Sequence, residues 1–139
     1  ELADLLGTKN LFFSKGADGY EDSILINKDK NPNTRGVHEV AAGIRTFTEF
    51  LGEVKSGKIR QAIALGGITP GDAEADLQGL KDLAVLVTVS AHEGTLTRAA
   101  SVVLPACSWA EASGTYVNAK GIRQISDKAI EPQAVVCCS

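Results

Sequence analysis

Residues 99–124 read AASVVLPACSWAEASGTYVNAKGIRQ, and the fold is decided here. Ser101-Val102-Val103-Leu104 is a short run rich in β-branched residues, stopped by Pro105. It is expected as a buried strand. Trp109, the single tryptophan, and the carboxylate Glu111 follow in a loop. Gly114-Thr115-Tyr116-Val117-Asn118 and Ile122-Arg123-Gln124-Ile125 then flank Lys120-Gly121. That arrangement predicts a small β-hairpin in which Gly121 takes the positive φ of a tight connection.

Upstream, the pattern alternates between strand and helix. Ala84-Val85-Leu86-Val87-Thr88-Val89 is the strongest strand signal, and Ile59 to Leu65 is another, with Ala62-Ile63-Ala64-Leu65 continuously apolar. Such a run fits a strand buried on both faces of a parallel sheet. Between the two lies Gly66-Gly67 and then a helix start, with Thr69 as N-cap, Pro70 at the first helical position and Asp72 three residues after the cap. Residues 73–80 complete that helix, with Ala73, Leu77 and Leu80 inward. Residues 44–56 form a further helix whose face is Ile44, Phe47, Leu51 and Val54, with Phe50 beside it. Lys55 and Lys58 complement its dipole, and Gly57 stops it. Strands joined by short helices predict an α/β fold: a Rossmann-like parallel sheet with flanking helices, followed by the hairpin.

The first third is less ordered in pattern. Glu1 to Gly7 reads as a helix terminus closed by Gly7, Leu11-Phe12-Phe13 as a short buried strand, and residues 16–22 as a loop. Residues 23–27 (SILIN) fit a strand or a helix end equally, because periodicity does not separate the two. Lys28 to Gly36 (KDKNPNTRG) is a polar turn cluster. It is either an ordinary solvated loop or the rim of a ligand cleft, with Asn31, Asn33 and Arg35 as polar hooks. Residues 1–131 are expected as a single α/β domain and 132–139 as a tail. The sequence begins at Glu1 and holds no methionine, so a piece of a longer subunit is expected.

Composition narrows the function. With 139 residues, 44% hydrophobic and 22% charged, the chain suits one soluble core. A net charge of −3 argues against nucleic-acid partners. No run is long enough to span a bilayer and no signal peptide is evident; the expected place is the cytoplasm, including the inner face of the membrane as part of a complex. Cys107, Cys137 and Cys138 do not form a disulfide framework, so a reducing compartment is expected, with Cys107 a small buried filler. No spacing suits an iron–sulfur cluster or zinc, and Ser108 is not in a nucleophile elbow. No catalytic residue and no metal ligand are assigned. His38 is alone in its region, and His92 reads as a polar loop histidine.

Two loops follow strands, where an open parallel sheet takes its ligands. The first, Leu65 to Pro70, offers Gly66, Gly67 and Thr69; the second, Ser90 to Thr97, offers Ser90, His92 and Thr95. Neither carries the glycine fingerprint of a dinucleotide fold or a P-loop.

The array Leu104-Pro105, Glu111, Gly114-Thr115, Asn118, Gly121 and Gln124 resembles the A-D-V-V-L-P … E … G-T-x-x-N-x-x-G-x-x-Q signature of the molybdopterin oxidoreductase superfamily. Within it, the greatest resemblance is to the large iron–sulfur subunit of respiratory NADH:quinone oxidoreductase. Two positions depart from the pattern: Ser101 stands in the aspartate position, and Arg123 is displaced by one. The first loop also lacks the asparagine of the family's G-x-N-P turn. The resemblance implies a scaffold domain in an electron-transfer subunit, with iron–sulfur clusters held elsewhere. Its partners would be the remaining domains of its own subunit and other oxidoreductase subunits. The alternative it implies is a domain binding a molybdopterin dinucleotide in a molybdenum or tungsten enzyme such as a formate dehydrogenase. In that case Gly66, Gly67, Thr69, Ser90, His92 and Thr95 are the cofactor-binding candidates. Glu111 and Asn118 are expected to fix their loop by bonding backbone groups.

Overall fold

The computed structural model describes residues 1–69 and 74–132, the side chains of 74–76 excepted. It is a mixed α/β structure. The elements are α1 (Leu2–Leu5), β1 (Phe12–Phe13), α2 (Thr34–Val40), β2 (Arg45–Thr46), α3 (Phe47–Lys55), β3 (Gln61–Leu65), α4 (Glu74–Leu80), β4 (Val85–Ser90), α5 (Thr95–Ala99), β5 (Val102–Pro105), β6 (Gly114–Val117) and β7 (Arg123–Ser126). Strands β3, β4 and β5 form a parallel sheet in that order, β1 and β2 a two-stranded parallel pair, and β6 and β7 the expected antiparallel hairpin.

Helix α3 is the firmest local structure, and its start lies later than the apolar spacing alone predicts. Thr46 is the N-cap: its hydroxyl accepts the Glu49 N–H at 3.3 Å while the Glu49 carboxylate accepts the Thr46 N–H at 2.8 Å. This reciprocal box satisfies two backbone donors that the first turn would otherwise leave open. The Thr46 hydroxyl and N–H hold the Glu49 carboxyl below its usual range. Ile44 falls before the helix, and Arg45–Thr46 pair in parallel with Phe12–Phe13 instead. Arg45 grips Glu53 of α3 through two bonds of 2.6 and 3.2 Å and lies 4.2 Å over the Phe12 ring. Gly57 ends the segment at φ +74.

The core is one cluster of Phe50, Val54, Ile59, Leu80, Leu86 and Leu96, with Phe12, Phe47, Leu51, Ala62, Ala64, Leu77 and Leu83 packed against it. Helices α3, α4 and α5 therefore all press on the same side of the sheet, the side of Ala62, Ala64 and Leu86. Two expectations are corrected by this one-sidedness. Strand β3 is not buried on both faces: Ile63 is 45% and Leu65 75% exposed. Strand β5 is not buried but an exposed edge, all four residues open.

Further corrections fall in loops. Residues 23–27 are neither strand nor helix end. The Asp22 carboxylate accepts the N–H groups of Ile24, Leu25 and Ile26 at 2.7–2.9 Å, so a side chain supplies what a ladder would have supplied. The polar cluster 28–36 is not wholly loop, because α2 begins at Thr34 and Gly36 is buried within it. Helix α5 lies where only a turn was expected. The proposed start of α4 at residues 70–73 and the tail at 133–139 lie outside the described residues. Cys107 is half-buried and disulfide-bonded rather than a free filler, and Cys137 and Cys138 lie outside the described residues. No described helix is long and apolar enough to cross a membrane.

Two substitutions separate core from cap. Leu86→Ala, in the middle of the buried face, is expected to cost about 3 kcal/mol by transfer plus cavity, and Thr46→Ala about 1 kcal/mol by loss of the cap. Denaturant unfolding of the two variants beside the unsubstituted protein checks both values.

Candidate functional site

The two loops singled out in the sequence leave the C-terminal ends of neighbouring strands β3 and β4. They pack directly against each other. The Gly67 carbonyl accepts the Leu96 N–H at 2.9 Å, and the Thr95 hydroxyl accepts the Thr69 N–H at 2.9 Å. The Thr69 and Thr95 hydroxyl oxygens are 3.1 Å apart, and both residues are buried. Glycines permit this approach. A Cβ on Gly94 would overlap the Gly67 carbonyl oxygen and Ile68 Cγ2, and one on Gly67 would meet the His92 carbonyl and Ser90 Oγ, each at 2.5 Å. Gly66 serves differently. It turns the chain off β3 at φ +121, donates its N–H to the Val89 carbonyl at 2.9 Å, and has open space beyond it.

All six candidates lie in the paired loops, and of them Ser90 and His92 line a neighbouring cleft. Thr69 and Thr95 lie inside the loop pair and position it. Ser90 and His92 stand at its outer surface, lining an open cleft of about 430 Å³ with Ala91, Glu93, Thr97, Arg98, Val103 and Pro105. The Ser90 hydroxyl donates to the His92 carbonyl at 2.7 Å and accepts the His92 N–H at 3.2 Å, a closed local turn. The Thr97 hydroxyl accepts the Gly94 N–H at 2.8 Å and donates to its carbonyl at 3.0 Å. Arg98 is the residue that sequence reasoning missed. Its signal was the unread α5: once residues 95–99 are helical, Arg98 comes to the cleft wall, where it is the one Lys or Arg among the described lining residues and stands with the carboxylate Glu93.

The polar hooks Asn31, Asn33 and Arg35 line a second hollow, of about 390 Å³, but their polar atoms hold the chain together. Asn31 Oδ1 accepts the Gly16 N–H at 2.8 Å and its Nδ2 donates to Asp29 at 2.8 Å. Asn33, in the left-handed region at φ +61, accepts the Val117 N–H at 2.8 Å and donates to the Thr115 carbonyl. Arg35 donates to the Ala119 carbonyl and pairs with Glu39. The Asn31 side chain and N–H hold the Asp29 carboxyl down at about 2. Glu111 and Asn118 take the expected structural roles: Glu111 accepts the Ser108 N–H at 2.8 Å, and Asn118 Oδ1 accepts Lys120 and Ile122 N–H groups at 3.0 and 2.9 Å. Among the described residues no three His, Cys, Asp or Glu side chains gather as a metal site.

Residues 10–134 match the molybdopterin oxidoreductase family. The chain belongs to that family. It is also 31% identical over 136 residues to the F420-dependent formate dehydrogenase subunit alpha of Methanocaldococcus jannaschii. That match covers 93% of this chain and 19% of the relative, so the chain spans about a fifth of the relative's length. In this molybdopterin oxidoreductase domain, then, the cleft lies at the C-terminal ends of β4 and β5, against the β4 loop and α5.

Gly94→Ala is expected to cost about 2 kcal/mol, purely by overlap, since the backbone at Gly94 is extended. Denaturant unfolding checks it, together with faster amide exchange at Leu96, whose bond to Gly67 would be lost. Asp29 gives a pH prediction. Its folded pKa lies below the ordinary 3.8, so its contribution is complete above that value and fades as pH falls toward about 2. Stability measured across that window should therefore fall less steeply in Asp29→Ala than in the unsubstituted protein.

Proposed function

We propose that this chain is the part of a formate-dehydrogenase-type oxidoreductase subunit that holds one arm of a molybdopterin dinucleotide. The observation carrying the proposal is the cleft walled by the β4 loop, α5 and β5, in a member of this family. Its chemistry fits the group. The His92 ring and the Arg98 guanidinium line the cleft, and Arg98 brings a positive charge suited to a diphosphate, set against the carboxylate of Glu93; the Ser90 and Thr97 hydroxyls already bond within the loop and shape its wall. Thr69 and Thr95 would keep the loops in place without touching the ligand. The bound molybdenum or tungsten centre would supply the two-electron chemistry, and residues of this chain would only bind and orient. We further infer that β3, β4 and β5 with their crossovers are half of a Rossmann-type layer, and that residues 1–131 act as one domain.

A second reading has its own support. Ser101 stands in the aspartate position of the family signature, and its hydroxyl is engaged in accepting the Leu86 N–H at 3.2 Å. That favours a cofactor-free scaffold of the NADH:quinone oxidoreductase kind, docked to other subunits and to cluster-bearing domains.

Elemental mass spectrometry of the full-length native protein, with fluorescence of the oxidised pterin, separates the readings. Stoichiometric molybdenum or tungsten with pterin is the expected outcome, and Arg98→Ala should lower the pterin retained. Iron without pterin, molybdenum or tungsten would overturn the proposal in favour of the scaffold.

A further inference from the structure

Three groups in the cleft lining carry or take up charge: the Arg98 guanidinium on α5, and the Glu93 carboxylate and His92 imidazole in the β4 loop. The lining from β4 and β5, Ser90, Val103 and Pro105, carries none. From the β3 loop, Gly67 packs against the His92 carbonyl and brings no side chain. With His92 neutral, Arg98 and Glu93 cancel. One proton on the imidazole leaves the cleft with a net positive charge. Histidine is the ordinary side chain that changes charge between about pH 5 and 8, a window in which carboxylate and guanidinium groups do not.

The His92 backbone is fixed at both of its polar atoms. Its N–H donates to the Ser90 hydroxyl at 3.2 Å, and its carbonyl accepts from the same hydroxyl at 2.7 Å. The ring, by contrast, makes no hydrogen bond to a described residue, so its nitrogens are free to meet a ligand. The loop thus holds an uncommitted imidazole at a set place, on the same cleft as the arginine.

We propose that protonation of His92 governs how tightly this cleft holds the diphosphate of the cofactor arm. The inference rests on the cofactor-binding reading above and adds its regulation. A diphosphate diester stays fully ionised across the window, so the pH dependence comes from the protein. The sign follows from charge. A protonated His92 attracts the anion, so binding tightens as pH falls. By linkage, the bound diphosphate in turn favours the proton on His92. Because the cleft is open to water, the effect shrinks as salt is raised.

The test uses the full-length native holoprotein, dialysed at about pH 6 and about pH 8 at one ionic strength. The pterin that stays bound is read by fluorescence of its oxidised form. The unsubstituted protein is expected to lose pterin several-fold more slowly at the lower pH. His92→Gln should lose it at one rate at both. His92→Lys, charged throughout, should lose it slowly at both, and it keeps the test readable where His92→Gln fails to fold. Loss that is independent of pH in the unsubstituted protein, or an unchanged pH dependence in His92→Gln or His92→Lys, would overturn the inference. Pterin that is present but indifferent to His92 strikes this inference alone. Absence of pterin from the native protein strikes the cofactor-binding reading and this inference with it.

Discussion

The contact between the β3 and β4 loops is the constraint on which the rest depends. Backbone passes backbone at Gly67 and Gly94 with no room for a side chain, and buried threonines bridge the gap from both sides. Because the loops cannot slide, the ends of β3 and β4 stay level, and α5 is launched at a fixed angle. That launch brings Thr97 and Arg98 to the cleft and Leu96 into the core. A polar surface site and an apolar core are therefore set by the same few hydrogen bonds. The arrangement also explains the division of labour among the candidates. Thr69 and Thr95 inside the contact are buried and structural, Ser90 closes a local turn at its edge, and the His92 side chain just outside it is exposed.

Much of this was written locally in the sequence. The apolar run of β3, the β-branched runs of β4 and β5, the turn at Gly121 and the stop at Gly57 each follow from residue-by-residue preference, and as elements they stand where that preference puts them. So do Glu111 and Asn118, whose short reach suits bonds to nearby backbone. What escaped was of two kinds. Helices α2 and α5 are too short for periodicity to announce them, and missing α5 meant missing Arg98. The exposure of β3 and β5 escaped for a different reason. A continuous apolar run says that a strand prefers burial on both faces, but it does not say which other segment provides the second cover.

The second hollow shows how easily polar residues mislead. Asn31, Asn33 and Arg35 have the composition of ligand hooks. In the fold their atoms are committed to Gly16, Asp29, Thr115, Val117 and Ala119. An asparagine next to a proline-containing turn serves the chain first, and a ligand only if atoms remain over.

The Asn33 contact also bears on how the chain reaches its native state. Asn33 bonds to Thr115 and Val117 across 82 and 84 positions of sequence, and Glu39 meets Arg123 across another 84. By contrast, the β3-α4-β4-α5-β5 unit is built from near neighbours. Contacts between distant segments are entropically the slowest to close. On a ribosome the central sheet can assemble while α2 still waits for the hairpin, which has yet to emerge. The docking of β6 and β7 onto α2 is thus a late, separate event in folding, and the segment from Asn33 to Glu39 waits for partners that lie more than 80 positions ahead of it.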